Sequence, residues 1–545
     1  MMKYLIIGGV AGGMSAATRL RRLDEQAEII ILEKGPYVSF ANCGLPYYLA
    51  GEISERSDLL VKTAAQLTKR FKLDIRQNSE VTAINRTDQS VTVKTAQGTY
   101  QEHYDRLILS TGAQPVVPAI EGLDSAQHVY TLRNVPDVDQ ILAQAKASQK
   151  AVVIGAGFIG LEIAEALVNR GLQVTIVERG THVLPSFDIE MAMFVQRALV
   201  QHGVTVLTEN AVTAFEAAGQ SLVLANGQTL ASDLTILAVG VQPATQLANA
   251  AGLQLGLRKG LIVNDHYQTS DPLIYAIGDA IIVKQTTTNQ DTLISLASPA
   301  NRQGRQVADV LAGKNRLNRG SLGTAIVRVF EMAGGSTGLN ESQLQAAGLT
   351  YQVLHLSGKS HAGYFPGAET IWLKLLFQPQ TGELFGAQAV GPDGVDKRID
   401  VLATAIKAGL TVDDLPELEL SYAPPFGSAK DIINLAGYAA QNLMAGDSQS
   451  VQWHELAAAM AAGAQLVDVR EPAEHQQGAI PGAINIPLDD LRQRMSELPK
   501  SNHYIVSCAS GLRSYLAERI LKQNGYQVQN LDGAYALYAL MQPKD

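Results

Sequence analysis

Two short apolar runs, each passing at once into glycines, set the pattern of the first 180 residues. Tyr4-Leu-Ile-Ile7 leads into Gly8-Gly-Val-Ala-Gly-Gly13, and Ala151-Val-Val-Ile154 leads into Gly155-Ala-Gly-Phe-Ile-Gly160. Unbroken aliphatic runs of this length predict strands buried on both faces, and the stretch after each turn predicts a helix, to Arg22 in the first copy and to about Arg170 in the second. Ile29-Ile-Ile-Leu-Glu33 and Val174-Thr-Ile-Val-Glu178 then close each unit with a strand ending in an acid, 25 residues after Gly8 and 23 after Gly155. Further on, apolar and polar positions alternate through Ala325-Ile-Val-Arg-Val-Phe330, Tyr351-Gln-Val-Leu-His-Leu356, Ile371-Trp-Leu-Lys-Leu-Leu-Phe377 and Phe385-Gly-Ala-Gln-Ala-Val390. This predicts strands, followed by a helix from Val395 to Ala408. Gly446-Asp-Ser-Gln-Ser450 interrupts the pattern as a short linker, so a further domain from Val451 onward must lie close by.

A chain of 545 residues exceeds what one core supports, and several domains are expected. With 46% hydrophobic and 17% charged residues, no large part of it has the composition of a disordered segment. The net charge of -9 argues against nucleic acid or an anionic membrane as the main partner. The N-terminal apolar run enters glycines rather than a cleavage site of small residues, and reads as a strand, not a signal peptide. No apolar stretch is long enough for a membrane span, which makes the cytoplasm the expected compartment.

The two repeats carry the chemistry of dinucleotide binding. Glycines permit a tight turn and close backbone approach, the helix N-terminus faces a pyrophosphate, and the acid hydrogen-bonds the adenosine ribose. Gly8, Gly12, Gly13 and Glu33 form one candidate cofactor site; Gly155, Gly157, Gly160 and Glu178 form the other. The second motif is strict, whereas the first has Val10 at the middle glycine and taken alone also reads as an ordinary strand-to-helix turn. Glu178 favours NADH, because the 2′-phosphate of NADPH would lie against a carboxylate, although Arg179 softens that preference. Ser110-Thr-Gly-Ala-Gln-Pro115 and Tyr275-Ala-Ile-Gly-Asp-Ala280 are, singly, a glycine turn and an Asp-bearing strand end. The order of all four motifs resembles that of the two-dinucleotide-binding flavoprotein disulfide reductases. The resemblance implies an α/β chain: an FAD-binding domain at 1–113 and 245–322, an inserted NAD(P)H-binding domain at 114–244 and an α+β dimerisation domain at 323–445. Thr111, Gly112 and Asp279 would then face FAD, with Asp279 on the ribityl chain, and the protein would be a homodimer.

The chain has two cysteines, Cys43 in Ser39-Phe-Ala-Asn-Cys-Gly-Leu-Pro46 and Cys508 in Cys508-Ala-Ser-Gly-Leu-Arg513. A disulfide between them is conceivable, but two isolated thiols read better as two catalytic sulfurs in a reducing compartment. Pro46 suits a first helical turn and puts Cys43 near a helix N-terminus, a position that favours thiolate; the alternative is a buried apolar cysteine. Ordinary disulfide reductases of the superfamily have two cysteines with four residues between them, whereas positions 38–48 hold Cys43 alone, so its partner sulfur must be foreign. The segment resembles the single-cysteine branch, which includes coenzyme A disulfide reductases, NADH oxidases and NADH peroxidases, and Asn42 points to the first of these. That resemblance places coenzyme A against Ser15, Arg19, Arg22, Ser39, Asn42, Asn301 and Lys430, the cations meeting its phosphates; Arg19, Arg21 and Arg22 also read as a solvated helix face. Tyr364 in His361-Ala-Gly-Tyr-Phe-Pro366 and Tyr422 in Ser421-Tyr-Ala-Pro-Pro-Phe426 resemble the family's tyrosines that reach the other subunit's active site, where a hydroxyl can donate to a departing thiolate. The alternative is a pair of core or interface tyrosines. The histidine that oxidase and peroxidase relatives place in the first glycine turn is missing, since only Val10 and Ala11 lie between its glycines.

From about Val451 to Asp545 the chain resembles a single α/β rhodanese domain, through Leu466-Val-Asp-Val-Arg-Glu-Pro472, Glu474-His475, Gly478-Ala-Ile-Pro-Gly-Ala-Ile-Asn-Ile-Pro487 and the cysteine loop. Strand Tyr504-Ile-Val506 would deliver Cys508 to inward-pointing amides, with a helix from Ser514 to Gln523 behind, a setting that stabilises a thiolate or persulfide anion. Arg513 closes the six-residue loop as a catalytic candidate; a phosphatase loop has one residue more. Asp468, Arg470 and Glu474 read as braces. No metal is expected. Together these readings imply an FAD-dependent NADH, alternatively NADPH, reductase of coenzyme A persulfide or polysulfide. It would release sulfide through a Cys43-coenzyme A mixed disulfide, with Cys508 handling sulfur from small sulfane donors. Coenzyme A disulfide reduction and then oxygen or peroxide reduction are the enzymatic alternatives, and a sulfur carrier or redox sensor the non-enzymatic one.

Overall fold

The computed structural model describes residues 1–542, which divide into two compact units, Met1–Leu184 with Leu199–Gly323, and Pro185–Ala198 with the chain from Thr324 onward.

In the first unit, strand Lys3–Ile7 lies between Glu28–Leu32 and Arg106–Leu109 in a five-stranded sheet, with Ile274–Ala276 and Asp74–Arg76 at its edges. All its pairings are parallel. Leu5, Ile6, Ile30 and Ile31 are buried completely, which is why these strands read as continuous rather than alternating apolar runs. The second repeat builds its own parallel sheet around Lys150–Ile154, flanked by Gln173–Val177 and Leu234–Leu237. Because Ile274–Ala276 returns to the first sheet after the second is complete, one nucleotide fold is inserted in the other. Helix Ala11–Leu23 packs against helix Ala297–Leu311 so closely at Gly304 that a Cβ there would come within 2.3 Å of the Gly12 carbonyl oxygen.

In the second unit, five antiparallel strands run in the order Ala325–Val329, Met332–Gly338, Leu384–Gly391, Thr370–Phe377, Gln352–Lys359. Met332–Gly338 is the strand that the alternation rule does not find, since its residues are small and glycine-rich. The packing explains the composition: a Cβ on Gly335 would lie 2.8 Å from the Ile399 side chain, so glycine lets helix Val395–Ala408 settle onto the sheet. The C-terminal part is a parallel sheet ordered Ser450–Val451, Gln527–Leu531, His503–Ser507, Gln465–Asp468, Ile484–Asn485. The expected α/β class, with an α+β sheet domain and a C-terminal α/β domain, is therefore what the chain adopts.

The segment 446–450, expected to be a plain linker, is pinned down. The Gln449 amide donates to the Glu518 carboxylate at 2.7 Å, the Ser448 hydroxyl bonds the same carboxylate, and Arg519 pairs with Asp447 at 2.9 Å. The two parts of this unit also share a buried charge cluster. Lys374, fully buried, pairs with Asp188 at 2.9 Å and with Glu190 and Glu341. His355 bonds Glu190 at 3.1 Å and Asp532, next to the C-terminal domain's last sheet strand, at 2.8 Å. The three acids around Lys374 are close enough to hold a cation, and the lysine ammonium already serves as one. Among the described residues no helix is long and apolar enough to cross a membrane.

Candidate active sites around Cys43 and Cys508

The two glycine turns of the first unit are near duplicates. Gly8 and Gly155 both have φ of +101°. A Cβ at Gly13 would meet the Gly8 oxygen at 1.9 Å and one at Gly160 the Gly155 oxygen at 2.1 Å, so these glycines are required for the strand-to-helix approach itself. Gly157 differs: nothing in the chain lies within 4 Å of its would-be Cβ, and its bareness leaves room for a ligand. Gly12 faces the Ser110 hydroxyl. The Glu33 carboxylate accepts the Gly9 and Gly35 amides at 2.8 Å each, and Glu178 accepts Ala156 and Gly180 at 2.8 and 2.7 Å. Both acids are thus aimed over their turns.

Thr111 donates to the Ala244 carbonyl at 2.7 Å, and Gly112, at φ +68°, accepts the Ala244 amide, tying the strands that link the two nucleotide folds. Asp279 follows strand Ile274–Ala276 and accepts no hydrogen bond from the described residues. Burial pushes its carboxyl up, while the Arg133 guanidinium pulls it down. A half-buried carboxylate left without a hydrogen-bond partner beside the first cradle fits a polyhydroxyl chain such as the ribityl of FAD.

Cys43 lies in a one-turn 3₁₀ segment, Asn42–Gly44, which leads into the six-residue helix Leu45–Ala50 with Pro46 in its first turn. The thiol is free and reaches solvent. Its pKa is raised, first by partial enclosure and then by the Glu162 and Asp279 carboxylates, against which Arg133 acts. This corrects the expectation of a helix-stabilised thiolate: the helix is short, and the acids come from sequence positions 119 and 236 residues away. Ser39, in left-handed conformation at φ 51°, donates its amide to the Gly9 carbonyl at 2.9 Å, and the Asn42 side chain donates to the Arg133 carbonyl at 2.6 Å. Tyr47 bonds Glu162 at 3.2 Å. Arg133 and Glu162 have no sequence motif that joins them to Cys43.

The candidate coenzyme A residues on the helix pair divide into three cases. Ser15 donates to Asn301 at 2.6 Å, so the two are brought together across the helix pair. Arg19 is occupied by Asp309, at 2.8 Å through Nε and 2.6 Å through a terminal nitrogen. Arg22 reaches only its own helix, at the Thr18 carbonyl. Arg21, by contrast, is buried and donates to the carbonyls of Phe71, Lys72, Asp24 and Glu25, a structural role. In the second unit, Tyr364 and Tyr422 bond each other through their hydroxyls at 3.0 Å; both are exposed, as is Lys430.

Cys508, buried, directly follows strand His503–Ser507. Its Sγ accepts the Gly511 amide at 3.1 Å and the Ser514 hydroxyl at 3.3 Å. The helix behind it starts at Leu512, two residues earlier than the sequence suggests. The Cys508 and Ala509 carbonyls accept the amides of Tyr535 and Ala536, which holds the loop from its far side. Arg513 forms a bidentate pair with Glu474, both bonds 2.7 Å, and this guanidinium pulls the Glu474 carboxyl down to about 2. Asp468 accepts Arg470 and His475, so the braces read from the sequence are in place.

Two nucleotide cradles in one unit and an amide-cradled thiol in the other define a nucleotide-dependent oxidoreductase of sulfur joined to a sulfurtransferase-type domain. The chain belongs to the pyridine nucleotide-disulphide oxidoreductase family, whose model matches residues 2–304, with the family's dimerisation domain at 324–431 and a rhodanese-like domain at 452–540. It is a flavoprotein oxidoreductase using FAD and NAD(H). The coenzyme A disulfide reductase of Staphylococcus haemolyticus is 37% identical over 450 residues, 81% of this chain and 100% of that one. Among solved structures, reduced Bacillus anthracis CoADR-RHD superposes with a TM-score of 0.97 at 51% identity, covering 99% of this chain and 98% of that one. A NAD-dependent persulfide reductase from A. fulgidus superposes at 0.93 and 36%, covering 98% and 100%.

Proposed function

We propose that the chain reduces coenzyme A persulfide, or a polysulfide of it, with NADH, and that coenzyme A disulfide is its second substrate. The observation that carries this reading is the lone thiol of the first unit. Cys43 is the one cysteine among residues 1–507, it is free and open to solvent, and a disulfide formed there without Cys508 draws its second sulfur from the substrate. Attack of Cys43 thiolate on the carbon-bearing sulfur of a persulfide forms a Cys43-coenzyme A disulfide and expels hydrosulfide. With FAD held by Gly8, Gly12, Gly13, Glu33, Thr111, Gly112 and Asp279, the chemistry supplied is two-electron transfer from nicotinamide to sulfur. Gly155, Gly157, Gly160 and Glu178 hold the nicotinamide nucleotide; Glu178 suits the 2′-hydroxyl of NADH, while exposed Arg179 leaves NADPH usable.

Ser15, Arg19, Arg22, Ser39, Asn42, Asn301 and Lys430 hold coenzyme A, with Arg22 and Lys430 free to meet phosphate and Arg19 fixed in place by Asp309. Tyr364 and Tyr422, exposed and hydrogen-bonded to each other, act across a homodimer as donors to the departing thiolate. Cys508 accepts sulfane sulfur and Arg513 shapes its loop. The reducing cytoplasm suits two free thiols. The test is anaerobic NADH consumption with coenzyme A persulfide and coenzyme A disulfide, for the native chain, Cys43→Ser and Cys508→Ser. Faster persulfide turnover abolished by Cys43→Ser is the expected result. Disulfide preference reverses the order of substrates, and turnover that survives Cys43→Ser refutes the reading.

A further inference from the structure

We infer that the Cys508 loop takes sulfur from an organic persulfide with an uncharged carbon arm rather than from a small sulfur oxyanion, and that Glu474, Leu512 and Leu516 set this choice. The inference rests on the reading of Cys508 as the sulfur-accepting thiol and goes on to name the donor.

Between Cys508 and Arg513 the loop is Ala-Ser-Gly-Leu, without charge. Its one cation, Arg513, has both terminal nitrogens engaged by Glu474. Other cations of the domain are engaged too. Arg470 is buried, bonded to Asp468 and the Gly478 carbonyl and stacked over the Tyr535 ring at 4.0 Å. Arg519 is held by Asp447, and Lys522 by the Gly446 carbonyl. A divalent oxyanion entering here would lose hydration against an arginine already paired, and would lie near the Glu474 carboxylate.

What the mouth does offer is apolar. Leu512 is 71% exposed and Leu516, one turn further on the same helix face, 43% exposed. Both lie on the helix that begins behind Sγ and supplies the Ser514 hydroxyl. Methylene groups laid across these leucines leave water, while the neutral donors Gly511 N–H and Ser514 O–H meet sulfur. The uncharged end of a pantetheine arm belongs to this class.

The transfer balances without an outside oxidant. Cys508 thiolate bonds to the terminal sulfur of R–S–SH, the S–S bond of the donor breaks, and R–S⁻ leaves with its electron pair, giving Cys508–S–SH. Cyanide then removes the outer sulfur as thiocyanate, releasing a proton and restoring the thiolate.

The experiment measures thiocyanate formation by the full chain, without NADH, from thiosulfate and from N-acetylcysteamine persulfide, with the Cys508→Ser background subtracted. The native chain should favour the persulfide in kcat/KM by about tenfold or more, the equivalent of one charge-assisted hydrogen bond. Glu474→Gln, which removes the charge and one of the two acceptors that clamp Arg513, should raise the thiosulfate-to-persulfide ratio by about tenfold. Leu512→Lys, at a surface position where the core is not at stake, should shift the ratio the same way. Equal use of both donors by the native chain, or ratios unmoved in both variants, overturns the inference. Because neither NADH nor Cys43 takes part, a failed reductase reading shows itself separately, as absent Cys43-dependent NADH oxidation with these ratios intact.

Discussion

Replacing His355 tests whether the buried charge cluster holds the second unit together. Burial by itself lowers the histidine's pKa, but Asp532 and Glu190 outweigh it and push it up to about 9. The groups facing the imidazole are those two acids, with Lys374 sharing Glu190 and the Gln452 amide sharing Asp532 at 3.0 Å. A folded pKa above the unfolded value of 6.5 means that protonation stabilises the fold. The contribution is fully present below about pH 6.5 and disappears as pH rises through about 9. At 1.36 kcal/mol per pH unit, the span gives on the order of 3 kcal/mol. The chain's two tryptophans, Trp372 and Trp453, both lie in this unit, so tryptophan fluorescence during urea unfolding reports on it alone. With a slope of roughly 3 kcal/mol per molar urea, the native midpoint should fall by about 1 M between about pH 6.5 and 9.5. His355→Leu leaves Asp532 and Glu190 facing an apolar side chain. It should lower the midpoint at the acidic end, by an amount set by the roughly 3–5 kcal/mol cost of breaking a buried pair, and flatten the pH dependence. A variant whose midpoint tracks pH as steeply as the native chain refutes this account.

Glu162→Gln removes the carboxylate that raises the Cys43 pKa most after burial; the pH profile of Cys43 alkylation should move to lower pH, and an unmoved profile counts against that electrostatic picture. Arg19→Ala should cost about 1–3 kcal/mol of stability, because it leaves buried Asp309 only its longer contact with Arg316 at 3.5 Å, while Arg22→Ala should leave the melting temperature in place and raise KM for the coenzyme A substrate; calorimetry and kinetics on the pair decide. Glu178→Ala should raise the NADPH-to-NADH ratio of kcat/KM by about tenfold, and a ratio unchanged in steady-state assays would place coenzyme choice elsewhere.

What could be seen in the chain beforehand was whatever is local. The strand-turn-helix units announce themselves because each needs its glycines within six residues, and the Cys508 loop because its thiol, amide donor and closing arginine are consecutive. Helix Val395–Ala408 falls where its pattern places it. Long-range chemistry left no such trace. Arg21 and Arg22 are adjacent, yet one is buried under four carbonyls and the other is exposed, a difference set by the Phe71–Lys72 segment fifty residues on. Likewise Cys43 is raised by acids from two other elements, which no reading of its own helix could supply.

The pinned 446–450 segment bears on how the C-terminal domain can be studied. Cutting the chain there does more than separate two modules: it removes Asp532 from His355 and exposes the face on which Gln352 meets Ser450. A truncated protein with low activity would therefore be ambiguous between lost sulfur traffic and a damaged scaffold. The single-atom exchange Cys508→Ser keeps the whole clamp, and is the subtraction from which a conclusion about sulfur transfer can be drawn.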